Sequence, residues 1–310
     1  MGIIAIMLTF TPKKDFLNEL LQESRDRVGR YGLINYIRVT ELSLPKPQTK
    51  TTVTIMVNPE YVQYTRDLFS FLNKMTDVPY VIFTPSEYNE NKPADLYVIV
   101  GSHKFLYSSF KKVLNRYYLN KKADKFWEFM NKTVLARTQG KVIFINSEFK
   151  KIDYGKLIGG NQKAPLKNRR IENKFALINN FNTHIQRDDM NKFIKYVLVQ
   201  EVFQALTVAA DVHSPKFAKK TLLFDPDANE KFNKKFSTTS DGYEYLKRYS
   251  SIGLCPTDVV LFMHLRKKTD HFQVDKYALF SIPDVVFYYS KAYYYYWKEE
   301  KKEIFDDRCW

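Results

Sequence analysis

Between Thr52 and Val100 the chain alternates short apolar runs with one long amphipathic stretch, and this order constrains the fold more than any bulk property does. Thr52 to Val57 reads as a strand; Asn58 as cap and Pro59 at the first helical position open a helix that runs to Met75. Tyr80 to Phe83 and Asp95 to Val100, the latter closed by Gly101, read as two more strands. A Lys- and Tyr-rich helical region follows from about Phe105 to Phe129. Thr133 to Arg137 and Lys141 to Asn146 then flank Gln139-Gly140, which predicts a β-hairpin. The order predicts an α+β fold, a mixed sheet with helices on one side. Upstream, Phe16, Leu17, Leu20, Leu21, Val28 and Ile34 space a helix over Lys13 to Val39, and Leu42 to Lys50, with Pro45 and Pro47, reads as a linker.

Composition removes several classes. With 310 residues, 45% of them hydrophobic and 16% aromatic against only 10 Gly, the chain is neither wholly disordered nor fibrous. No run of about 18 uncharged apolar residues exists, so no transmembrane helix is expected. Ile3 to Phe10 is apolar but lacks a basic residue before it and a cleavage site after it, so a signal peptide is not evident; a buried strand or the remnant of a truncated leader fits equally. The net charge of +15 invites a nucleic-acid partner, yet the basic runs Lys111 to Lys125, Lys150 to Arg170, Lys216 to Lys235 and Arg266 to Lys268 are scattered. They read as solvated faces, which leaves nucleic-acid binding as a third choice. Two cysteines, Cys255 and Cys309, exclude a Cys-rich zinc module and allow one disulfide. Cys255 stands at a helix start, where a thiolate is favoured, but nothing nearby supplies a base; pairing with His264 has less support than a disulfide or a buried thiol.

The most informative element is a helix beginning near Asp188. Met190, Ile194, Val197, Leu198, Ala205 and Val208 form one stripe, with Val199 and Phe203 on the opposite side, so most of the helix is covered. Glu201 falls inside the stripe, and Gln200 and Gln204 line its edge one turn apart. A buried carboxylate needs a partner or goes neutral. It is either a structural group hydrogen-bonded to a Lys, Tyr or backbone amide, or a functional one.

Gln200-Glu201-Val202-Phe203-Gln204 has the spacing of the zincin motif H-E-x-x-H, with glutamine at both histidine positions. The preceding strand, helix, two strands and edge hairpin resemble a metzincin-type catalytic domain. Leu254 to Leu265, with Pro256 and Asp258 at its start, is similar to that family's last helix. The chain looks closest to bacterial zincin-like proteins of unknown function whose helix reads Glu-x-x-Gln-Ala-Leu, filled here by Glu201, Gln204, Ala205 and Leu206. It departs from the family at Thr207, where a glycine ends the helix, and at Ala210, where a third histidine binds zinc; no convincing Met-turn is found.

The resemblance implies a zincin-like (metzincin-type) mixed sheet with a backing helix and an active helix over residues 50–268, a helical N-terminal extension with its linker over 1–49, and an aromatic-rich C-terminal extension over 269–310 that packs on the core. It implies a degenerate metallopeptidase-like protein binding a protein or peptide in the former substrate cleft, secreted or periplasmic as such families are. Glu201 would be catalytic only in an active enzyme, as general base with an atypical metal or none; Gln200, Gln204, Asp211 and His213 would line the cleft. Carboxamides are poor zinc donors, so no cofactor and no metal ligand is expected. A Glu201/Asp211/His213 arrangement is the one remaining route to zinc, and each of the five histidines, His103, His184, His213, His264 and His271, taken alone reads as a surface or hydrogen-bonded residue. Tyr293 to Tyr296 cannot all face one side of an element, so they pack on the core in part or present a patch to a protein or glycan. Asn131-Lys132-Thr133 is a sequon only in a glycosylating pathway.

Overall fold

Apolar strands flanked by amphipathic helices leave two sheet faces to cover, and this chain covers both. The computed structural model describes residues 14–28, 42–43, 51–76, 80–84, 94–117, 128, 131, 139–146, 169–180, 189–207, 209, 211–226, 242–267, 279–298 and 303–310. The strands are β1 (Leu42–Ser43), β2 (Thr51–Val57), β3 (Tyr80–Phe83), β4 (Leu96–Gly101), β5 (Gly140–Asn146) and β6 (Arg169–Asn179). The helices are α1 (Lys14–Val28), α2 (Pro59–Met75), α3 (His103–Tyr117), α4 (Met190–Thr207), α5 (Gly242–Tyr249), α6 (Pro256–Lys267) and α7 (Ile282–Lys298).

The sheet runs β3-β2-β4-β6 in parallel, and β5 closes the far edge antiparallel to β6. Every residue of β4 is buried, as the uninterrupted run Leu96-Tyr97-Val98-Ile99-Val100 requires of a central parallel strand. Alternation along the pleat then sends Val53, Ile55, Leu96, Val98, Val100, Val142, Ala176 and Ile178 to one face, in the core shared with α2 and α4. On the other face Tyr97 stacks on Phe175 at 4.9 Å between ring centroids, and Phe110 of α3 meets Phe175 edge-on at 5.0 Å. Helices therefore lie on both faces, where the element order alone predicts one.

Several expectations hold. The three strands and the intervening helix occupy the expected ranges, with Pro59 at the helix start; Asn58 sits at the cap position, its side chain making no capping bond. Others change. Lys141 to Asn146 is a strand, but its partner in the sheet is β6; the other expected hairpin arm, Thr133 to Arg137, lies outside the described residues. Part of the presumed linker, Leu42–Ser43, pairs in parallel with Arg169 and Arg170. The α3 expectation beyond Tyr117 and the α1 expectation beyond Val28 also fall outside the described residues.

The described C-terminal residues join the main hydrophobic cluster. Leu17, Leu20 and Leu21 of α1, the buried α6 residues and Tyr288, Tyr289 and Tyr296 of α7 belong to one hydrophobic cluster. Of the four consecutive tyrosines Tyr296 is buried and Tyr294 exposed. Cys255 and Cys309 form a disulfide, so Cys255 is not a thiol nucleophile. Trp310 stacks on Tyr296 at 4.2 Å and donates its indole N–H to the Leu254 carbonyl at 2.7 Å, tying the chain end to the start of α6. Asp258 organises that start from the inside: it accepts from Cys255 N–H at 2.8 Å, Leu222 N–H at 3.0 Å and the Thr221 hydroxyl.

Candidate functional site

The polar triplet of α4 lies in the mostly buried second half of the helix, while Asn191, Lys192 and Lys195 mark the polar side of its first two turns. Thirteen of its eighteen residues are buried, Glu201 and Gln204 among them, and it packs against β5 and β6. The helix ends with the Thr207 hydroxyl donating to the Phe203 carbonyl at 2.8 Å and accepting from Ala209 N–H at 3.2 Å. A threonine thus closes the last turn of the helix.

Beyond α4 the chain turns back so that both glutamines converge on one carboxylate. Gln204 Nε2 donates to Asp211 Oδ1 at 2.6 Å, and Gln200 Nε2 donates to the same oxygen at 3.3 Å. A short parallel bridge holds this return: Val212 N–H donates to the Leu223 carbonyl at 2.8 Å and Asp225 N–H to the Val212 carbonyl at 2.9 Å. The bridge sets Asp225 close enough to Asp211 for the two charges to interact.

Edge strand β5 forms the other wall. At Gly140 a Cβ would stand 2.3 Å from Glu201 Oε1 and 2.7 Å from its Cγ, so the absence of a side chain there makes room for the glutamate. The next residue, Lys141, acts electrostatically on both Glu201 and Asp211. Glu201 makes no hydrogen bond among the described residues.

The electrostatics follow from this crowding. Burial pushes the Glu201 carboxyl well above the usual carboxylate range; the Asp211 and Asp225 charges add to the rise and Lys141 offsets part of it. Asp211 is raised to about 7, first by burial and then by Asp225, against the Gln204 hydrogen bond and Lys141. Near neutrality the cluster therefore holds protons that free carboxylates would have released.

Of the predicted site residues, the structure brings Gln200, Glu201, Gln204 and Asp211 together. His213 is buried next to Asp225, its Nδ1 lying 3.1 Å from the Asp225 carbonyl, and its backbone N–H donates to Glu23 of α1 at 2.9 Å. Ala210, His184 and His271 lie outside the described residues. The expected list lacks Gly140, Lys141 and Asp225. The signal for Gly140 was its place in a Gln-Gly turn beside a strand; Asp225 carries no local signal.

The donor set does not match what zinc takes. Gln200 and Gln204 each donate an amide N–H to Asp211, and carboxamide oxygen is a weak ligand for a borderline-soft cation. Among the described residues no three His, Cys, Asp or Glu side chains are grouped to hold a metal ion, and no helix is long and apolar enough to cross a membrane. Comparison with known proteins finds no matching family model, no matching curated protein and no matching solved structure.

Proposed function

We propose that this chain is a catalytically degenerate, metzincin-like protein that binds an extended peptide or protein segment along the outer edge of β5, beside α4, without cutting it. The observation that carries the reading is the capture of Gln200 and Gln204 by Asp211, at the two positions where the zincin spacing places metal ligands. The antiparallel edge strand beside the glutamate helix adds support, since the resemblance implies an edge element leading to the active helix. One edge of β5 pairs with β6, and among the described residues no strand occupies its other edge, which suits addition of an extended chain. The Cys255–Cys309 disulfide supports a secreted or periplasmic setting, where such bonds persist.

Metal analysis of the purified protein, paired with selection of binders from a displayed peptide library, tests this reading. The expected result is no stoichiometric zinc and a set of peptides whose affinity falls about tenfold with Lys141→Ala, the loss of one partly desolvated contact. Stoichiometric zinc lost on Glu201→Ala would overturn it.

A second reading rests on the protonation state of the cluster. With Asp211 near neutrality beside a protonated Glu201, the pair has the acid–base poise of a hydrolytic site. Digestion of a peptide library with and without chelator decides: cleavage that survives chelation and disappears in Glu201→Gln supports a hydrolase, and no cleavage in either condition removes it.

A further inference from the structure

Helix α7 buries one side and exposes apolar side chains on the other. Val285, Tyr288, Tyr289, Ala292 and Tyr296 face the core. Val286, Phe287, Tyr294 and Trp297 recur on the outward side at helical spacing, and the N-terminal end adds Leu279 and Ile282; these six side chains are between 41% and 66% exposed. Single exposed apolar residues are ordinary, whereas a row of five along one helix, extended by Leu279 just before it, marks a docking surface.

Charge selects the occupant. The outward side carries no Asp or Glu; its polar members are Ser290 and Lys298, whose ammonium lies 5.5 Å from the centre of the Tyr294 ring. Asp284 sits on the flank, accepting from the Ser281 hydroxyl at 2.7 Å. The whole chain carries +15, so two copies meeting here would repel, while an anionic partner would be drawn in. A nucleic acid would satisfy the charge but offer nothing to Leu279, Ile282 and Val286, which gain from hydrocarbon. Trp and Tyr among aliphatic residues with Lys at the end is the composition of a helix lying in a membrane interface.

We propose that α7 docks the protein on an anionic lipid bilayer, the stripe entering the boundary between headgroups and acyl chains and Lys298 meeting lipid phosphate. Co-sedimentation of the full chain with phosphatidylcholine/phosphatidylglycerol vesicles and with pure phosphatidylcholine vesicles tests it. Binding is expected to the anionic vesicles, to weaken with salt, and to fall at least about tenfold in Phe287→Ser/Trp297→Ser, which loses two inserting side chains. Both side chains are more than half exposed but each meets the ring of a neighbouring tyrosine, so thermal melting checks that the variant folds; should it melt early, Ile282→Ser/Val286→Ser replaces it. Undiminished binding by a folded variant, absence of binding to the anionic vesicles, equal binding to both vesicle types, retention on nucleic acid alone, or a dimer in light scattering that the variant abolishes would each overturn the proposal.

Discussion

Replacing Asp211 by asparagine should stabilise the protein at alkaline pH and leave it nearly unchanged in acid. In the wild type the Asp211 carboxyl titrates near 7 when folded and near 3.8 when unfolded. Between those values the native state binds the extra proton, so stability is complete below the unfolded value and is lost as pH rises through the folded one. At about 1.36 kcal/mol per pH unit the interval corresponds to about 4 kcal/mol. Asp211 meets solvent, and screening leaves about 2 kcal/mol of that. Asparagine keeps the shape and an oxygen for both glutamine amides but never ionises, so the loss disappears.

Urea unfolding followed by tryptophan fluorescence, from about pH 4 to about pH 8, measures this directly. The two proteins should match at the acid end, with the variant ahead by about 2 kcal/mol at the alkaline end. Taking the difference between them cancels the titrations of groups that do not feel the Asp211 charge, including Asp258, raised to about 7, and Asp306, lowered against burial by its Arg308 hydrogen bonds. Repeating the pair in a Glu201→Gln background removes the contribution of Glu201, which does feel that charge. Curves that run parallel would refute the reasoning, because they would mean that Asp211 ionises alike in both states. A variant that falls behind the wild type at the alkaline end would reverse the sign and make Asp211 a stabilising anion.

Three further outcomes test the packing around the site. Gly140→Ala drives a methyl into Glu201 and should cost about 1–3 kcal/mol in urea unfolding, while Glu201→Ala beside it should recover most of that loss in a double-mutant cycle. Asp258→Ala strips the acceptor from Thr221, Leu222 and Cys255 and should lower stability by about 2–4 kcal/mol, read as a fall in Tm. Cys309→Ser opens a loop of 54 residues and should cost about 4 kcal/mol on the chain-entropy estimate, with a matching drop for wild type unfolded in reductant.

The run from β2 to β4 was legible because each element states its own period: β-branched strands, a Pro-opened helix, and a strand apolar throughout because it is buried on both faces. Strand β6 was not legible. Its first half, Arg169-Arg170-Ile171-Glu172-Asn173-Lys174, is nearly all polar and looks like the end of a basic loop; only Phe175 to Ile178 carries the apolar signal. Yet β6 is the strand that β4 and β5 both pair with, so the pairing of Lys141 to Asn146 with it could not be foreseen. Spacing on α3 places Leu106, Phe110, Val113 and Leu114 on one stripe but cannot say which sheet face the stripe covers. The α4 triplet was visible because helix geometry is local. Asp225 and Lys141 were not, since only the bridge at Val212 and the strand pairing at Gly140 bring them near.

What separates Glu201 from its neighbours is how little it gains from its position. Gln200 and Gln204 have their amide hydrogens met by Asp211, and Asp258, equally buried, accepts three hydrogen bonds that hold α6 to the preceding turn. Glu201 has no such bond among the described residues, sits in a carboxyl cluster that raises its proton affinity, and requires a glycine opposite it. A leucine there would remove the desolvation penalty and the repulsion together. A structural role explains Asp258 in full and explains Glu201 hardly at all. Polar groups that weaken local consistency without a compensating contact concentrate at working sites, and this one faces the edge strand where an incoming chain would lie.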